Sequence, residues 1–216
     1  LPYLDAISIT FIKDKQSEFL KFLQGDIHFI SGLDQSYKDE ILNLDGTLKM
    51  KYRKEIQMVS DPFLNTEYLG FLMDEGSEVS NNLNLRKAIN LGIDKQSMIK
   101  YLRNNIGHPA HNGFVPVGMN AFSESVLGYK YDIDKAKEML VKAGFPAGEG
   151  LEDIILYTTP NYQELCEYIQ NQLKEIDINI NIEINPAATH RQMVATSRLN
   201  FFRASWIADY PDAENY

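Results

Sequence analysis

The sequence has one cysteine, Cys166, among its 216 residues. A single thiol excludes an intrachain disulfide and a zinc site built from several cysteines. Cys166 falls on the apolar face of a predicted helix, where a thiol behaves as a small buried hydrophobe. No apolar run reaches the roughly 18 residues that a membrane-spanning helix requires, so no such helix is predicted.

Positive charge is also scarce, since 21 Lys and Arg residues stand against 30 Asp and Glu residues, for a net charge of -9. Binding to nucleic-acid phosphates depends on clustered Lys and Arg, so a nucleic-acid partner is excluded. The length suits one large domain or two small ones. The amino terminus shows no signal-peptide pattern, so the chain is either a mature protein or a segment cut from a longer one.

Several catalytic and cofactor motifs are missing. The glycines do not form a GxGxxG or a P-loop pattern, and no GxSxG nucleophile elbow occurs. His108 and His111 lie in a proline-containing loop without a third ligand nearby, so neither a metal nor a cofactor is expected. Nothing near Cys166 supports a thiol nucleophile activated by a histidine.

The pattern that is present alternates between strands and helices. Period-two segments predict strands at 6–12, 26–30, 55–59, 67–72, 153–158, 176–184 and 201–207. Amphipathic spacing and capping residues predict helices at 16–23, 35–44, 85–93, 95–104, 133–143, 162–175 and 190–197. Residues 76–84 and 107–128 are predicted to be loops, and the second is long enough to suggest a functional role. This order predicts an α/β fold with a mixed β-sheet flanked by helices.

The last predicted strand leads directly into acidic residues. Phe201 to Ile207 is followed by Asp209, Asp212 and Glu214. A carboxylate just past a buried strand can meet a cation at the mouth of a cleft. Asp209 is therefore a candidate counter-ion for a ligand ammonium group, and Arg203 for a ligand carboxylate. Together the two would bind the opposite ends of a zwitterion such as a short peptide. Trp206 would supply a flat apolar wall. The plainer alternative is a solvated acidic turn, and the spacing is not that of an EF-hand calcium loop.

This stretch and four others resemble one protein family, in the same order along the chain. Trp206 to Tyr216 resembles the W-x-x-D-Y-x-D-P-x-N-F/Y motif of the oligopeptide- and dipeptide-binding proteins of bacterial ABC importers, with Ala213 in place of the common proline. The other matching segments are Leu23 to Ile27, Leu85 to Asp94, Gly107 to Gly118, and Gly128 to Gly144.

The resemblance implies a two-lobed fold of the periplasmic-binding-protein type, of which residues 1–216 would form a single α/β lobe. The partner lobe, the signal peptide and the C-terminal tail would be absent. In the family's peptide-binding members the aspartate of this motif, which is Asp209 here, pairs with the peptide's α-ammonium. The backbone of Ser205, Trp206 and Ile207 would lie alongside the peptide as an added strand. Arg203 occupies the place of an arginine that neutralises a ligand carboxylate in some members.

The function implied is binding without catalysis. The chain would belong to a monomeric extracytoplasmic protein, periplasmic or lipid-anchored, that delivers oligopeptides or dipeptides to a membrane ABC permease. Family members also carry nickel chelates, oligosaccharides or heme, so a non-peptide solute is the first alternative. A carboxylate-based hydrolase using residues 209–214 is the second, and a protein–protein module using the edge from Trp206 to Tyr216 is the third.

Overall fold

The computed structural model describes residues 3–12, 14–33, 35–74 and 76–216. The helices are α1 (Lys15–Gln24), α2 (Gln35–Ile41), α3 (Glu78–Asn81), α4 (Leu83–Leu91), α5 (Lys95–Arg103), α6 (Ile133–Lys142), α7 (Gln163–Lys174) and α8 (Ala187–Ala195). The strands are β1 (Asn65–Phe71), β2 (Ile154–Thr158), β3 (Ile180–Ile184) and β4 (Phe201–Ile207). Short 3-10 turns occur at Pro146–Gly148, Pro160–Tyr162 and Ala213–Asn215.

The chain divides into two compact units. The first comprises Leu1–Met58 and Lys100–Ile106, and the second comprises Val59–Ile99 and Gly107–Tyr216. The prediction that residues 1–216 form a single lobe stays a prediction. No helix in the described part of the chain has the length and apolar character needed to cross a membrane.

The first unit is built on two short helices and a small core. Asp14 caps α1 by accepting a hydrogen bond from the Ser17 amide, and Gly25 ends the helix in a left-handed conformation at φ 83°. The core contains the buried side chains of Phe19, Ile41, Leu42 and Leu48.

Three predicted strands do not form. Residues 6–12, 26–30 and 55–59 make no ladder with any described segment. The alternating side chains of Ile7, Ile9 and Phe11 are 75–94% exposed. Period-two alternation forms a strand only where a partner strand satisfies the backbone, and no described segment supplies one to these residues. Ile30 and Ile56 pack against the core of the first unit without strand pairing.

The second unit is a four-stranded sheet with the order β1-β4-β2-β3. The β1–β4 pair is antiparallel, whereas β2 is parallel to both β3 and β4. Helices cover the sheet around one apolar core, in which Phe71 stacks on Phe201 with ring centroids 4.8 Å apart. The prediction of a mixed sheet flanked by helices is confirmed.

The core follows the apolar faces that the sequence predicts. Cys166 and Leu173 on α7 and Ala136 and Leu140 on α6 are 0–1% exposed. The isoleucines of residues 176–184 were predicted to form one buried face. Ile176 and Ile178 are buried, but Ile184 at the other end is 41% exposed. The ladder begins only at Ile180, because Asp177 turns the chain at a positive φ of 63°.

We expect Leu140→Ala to lower the free energy of unfolding by about 2–5 kcal/mol, because it leaves a cavity in a core position that is 1% exposed. The adjacent Val141 on the same helix is 56% exposed, so Val141→Ala is the matched control and should change stability by less than about 0.5 kcal/mol. Urea denaturation followed by circular dichroism measures both. Equal losses in the two variants would contradict this placement of the core.

Candidate functional site

The end of β4 has an open edge. On one side β4 pairs with β1 along its whole length, from Phe71↔Phe201 to Asn65↔Ile207. On the other side it pairs with β2 at the single register position Tyr157↔Phe202. After Phe202, therefore, no described strand lies along this second edge, although His190 Nε2 lies 2.9 Å from the Arg203 carbonyl oxygen.

Burial changes along the same strand. Phe201 and Arg203 are 0% and 6% exposed, whereas Trp206 and Ile207 are 44% and 53% exposed, and Ser205 is also exposed. The strand thus begins in the core and ends at the surface, where its backbone groups can receive an extended ligand as an added strand. Ser205, Trp206 and Ile207 were predicted to lie at such an edge, and the structure brings them together there.

One asparagine organises the loop after β4. Asn215 Oδ1 accepts hydrogen bonds from the Asp209 amide at 3.0 Å and from Trp206 Nε1 at 3.3 Å. The loop is also fixed to the segment before β1, because the Ala208 amide and the Tyr216 hydroxyl both donate to the Leu64 carbonyl, at 2.9 and 2.7 Å. Sequence reasoning assigned no role to Asn215, although its place in the matched motif was the available signal.

The carboxylates of this loop are not equivalent. Asp212 Oδ1 accepts from the Glu214 amide at 3.0 Å, and Glu214 Oε1 accepts from the Tyr210 hydroxyl at 2.9 Å. Asp209 is exposed, and its carboxylate has no hydrogen-bond or ion-pair partner among the described residues. The Asn215 contact uses only the backbone of Asp209, so its charged group remains available to a ligand.

Arg203 lies deeper than Asp209 and is already paired. Its guanidinium forms a salt bridge with Glu67 and lies over the Tyr162 ring, with Cζ 3.0 Å from the ring centroid. Burial lowers the pKa of Arg203 to about 9. The guanidinium remains a cation at neutral pH, and the adjacent carboxylate favours that form. Sequence reasoning missed Glu67 and Tyr162, which reach Arg203 only through the sheet order.

A cavity of about 280 Å³ lies beside β1 in the second unit. Its lining is mainly apolar and includes Ile89, Ile93, Met98 and Phe114, together with Glu67. Asp209 is not part of this lining. Glu67, the ion-pair partner of Arg203, therefore borders the cavity. The cavity is large enough to accept a ligand side chain.

Cys166 is fully buried on α7, and burial raises the pKa of its thiol, which keeps it protonated and unreactive. No group of three or more His, Cys, Asp or Glu side chains that could hold a metal ion occurs in residues 3–12, 14–33, 35–74 and 76–216.

The mixed sheet flanked by helices is an α/β fold of the periplasmic-binding-protein class. The chain matches the family described as "Bacterial extracellular solute-binding proteins, family 5 Middle" over residues 1–216, and it belongs to that family.

Individual relatives agree with this assignment. The chain is 24% identical over 99% of its length to Heme-binding protein A of Haemophilus influenzae, and 25% identical over 99% of its length to Glutathione-binding protein GsiB of Salmonella choleraesuis. It spans 38% and 40% of those two proteins. Among solved structures, 95% of the chain superimposes on 37% of the periplasmic binding protein DppA from Helicobacter pylori in complex with the peptide STSA, with a TM-score of 0.77 and 24% identity.

We expect Asn215→Ala to release the Trp206 indole and the loop after β4, because it removes the acceptor that both groups share. Trp206 is the only tryptophan, so its fluorescence should shift to longer wavelength and its quenching by acrylamide should increase. Asn215→Asp keeps an oxygen acceptor and should preserve the native spectrum more closely. An Asn215→Ala spectrum identical to that of the original chain would show that this contact does not order the loop.

Proposed function

We propose that this chain is part of an extracytoplasmic solute-binding protein that captures short peptides and delivers them to the membrane permease of an ABC importer. The observation that carries the proposal is the exposed carboxylate of Asp209, which has no partner among the described residues and lies directly beyond the open edge of β4. A relative of the same fold has been solved in complex with the peptide STSA, which supports a peptide ligand. The names of other relatives, for heme and glutathione, show how the solute varies within such proteins.

In the proposed binding mode the peptide lies extended along the free edge of β4. Backbone groups of Ser205, Trp206 and Ile207 would form ladder hydrogen bonds with the peptide main chain, which every peptide can supply regardless of sequence. The peptide's ammonium group would pair with Asp209 at the end of the strand. Such a site recognises the main chain and the amino terminus, and it leaves side chains to roomier pockets such as the cavity beside β1.

The chain spans only 38% and 40% of the first relatives, so the remaining parts of the site and the transport cycle belong to the proposal. A second lobe would close over the peptide by hinge motion and exclude water from the Asp209 ion pair. The closed, monomeric form would then dock on the permease, in the periplasm or from a lipid anchor. This function consists of binding and release and requires no chemical step on the solute.

We expect Asp209→Asn in the full-length protein to weaken peptide binding by at least about 100-fold, because breaking an enclosed ion pair costs about 3–5 kcal/mol. Asp212→Asn is the matched control: it neutralises an exposed carboxylate three residues away and keeps the oxygen that accepts from the Glu214 amide. Isothermal titration calorimetry with a di- to pentapeptide series measures both affinities.

Acetylation of the peptide's amino group should reduce binding to the original protein as strongly as Asp209→Asn does, and it should add little in that variant. Undiminished affinity in Asp209→Asn would remove this residue from the site. Selective binding of heme, a metal chelate or an oligosaccharide, with no binding of any peptide, would replace the peptide with another solute of the family.

A further inference from the structure

The ion pair of Arg203 and Glu67 is held from several sides within the second unit. Glu67 Oε2 accepts from the Arg203 guanidinium, while Glu67 Oε1 accepts from Asn65 Nδ2 at 2.9 Å and lies 3.3 Å from the Tyr162 hydroxyl. The Tyr162 ring also covers the guanidinium. Both carboxylate oxygens of Glu67 are therefore used.

The two partners differ in exposure. The Arg203 side chain is 7% exposed, whereas the Glu67 side chain is 37% exposed and borders the cavity beside β1. Glu67 is thus the more exposed partner, and its carboxylate already occupies the Arg203 guanidinium. This is the position that a ligand carboxylate would have to occupy in order to pair with Arg203.

The charge balance points the same way. Arg203 and Glu67 together carry no net charge, and a second carboxylate placed at the guanidinium would face the negative charge of Glu67. Displacing Glu67 would break a hydrogen-bonded pair that is largely buried on the arginine side, which is costly. Arg203 therefore offers little attraction to an incoming anion while Glu67 is in place.

We propose that Glu67 is a specificity-determining residue that takes the place of a ligand carboxylate at Arg203. The site would accordingly accept ligands that carry an ammonium group for Asp209 and need no free carboxylate beside Arg203. This inference rests on the proposed function, and it names the substrate class as peptides whose carboxy terminus is not recognised at that arginine. It also assigns Arg203 a positioning role, in which it orders Glu67 and the end of β4.

The test compares peptide acids with the corresponding carboxamides, at lengths of two to five residues, by calorimetry on the full-length protein. The original protein should bind acid and amide with affinities within about threefold at every length. Glu67→Gln removes the internal carboxylate and should create a preference of at least about tenfold for the acid at the length whose carboxy terminus reaches Arg203. Adding Arg203→Gln should abolish that preference.

Glu183→Gln is the control, since Glu183 is an exposed carboxylate on β3, and it should leave the acid-to-amide ratio unchanged. A tenfold preference of the original protein for acids would overturn the inference, and so would the absence of any gain in acid preference in Glu67→Gln. The proposed function would still be tested separately by the Asp209 experiments. The acid-to-amide comparison in the original protein needs no variant. It can therefore overturn the inference even if the Glu67→Gln protein folds poorly. Failure of every acid and amide to bind would overturn both proposals.

Discussion

The site depends on one constraint, which is that β4 has a strand on both edges only as far as Phe202. Up to that residue the strand lies in the core, and its aromatic side chains pack against β1 and the covering helices. Beyond it, β1 continues as the partner strand, the Arg203 carbonyl lies 2.9 Å from His190 Nε2, and no other described strand lies along the second edge. A single strand therefore supplies both the buried base of the candidate site and, at its end, backbone groups along an edge with no described partner strand.

In the loop after β4, the backbone amide of Asp209 is hydrogen-bonded to Asn215, whereas its carboxylate has no partner among the described residues. Asn215 and the Leu64 carbonyl satisfy the amides and hydroxyls that would otherwise compete for the carboxylate. Asp212 Oδ1 and Glu214 Oε1 each accept one hydrogen bond from within the loop. Of the three acids in this loop, Asp209 is the one whose carboxylate has no hydrogen-bond or ion-pair partner among the described residues.

Much of the second unit could be predicted from the sequence, because its elements are specified locally. The bounds of β4 were predicted at 201–207, and the apolar stripe that buries Cys166 and Leu173 follows from helical periodicity. The strands predicted at 6–12 and 26–30 were wrong, since alternation describes a side-chain pattern and does not supply a partner strand. Helix α3 was missed because four residues capped by Ser77 carry too little periodicity to distinguish a helix from a polar loop.

Only the contiguous part of the candidate site could be predicted from the sequence. Asp209 and Trp206 belong to one contiguous motif, so the sequence placed them together at a strand end. The partner of Arg203 was not predictable, because Glu67 lies 136 residues away and reaches it only through the β1–β4 register. The ligand-binding roles of Asp209, Trp206, Arg203, Ser205 and Ile207 stay predictions. Because Arg203 is already paired with Glu67, its predicted role with a ligand carboxylate would require that pair to change.

The most direct test of the central claim is a crystal structure of the full-length protein with a bound peptide. The account predicts that the peptide's amino nitrogen lies about 3 Å from an Asp209 carboxylate oxygen and that its backbone is hydrogen-bonded to residues 205–207. A peptide whose amino group is held elsewhere, with Asp209 still exposed to solvent in the liganded protein, would contradict it.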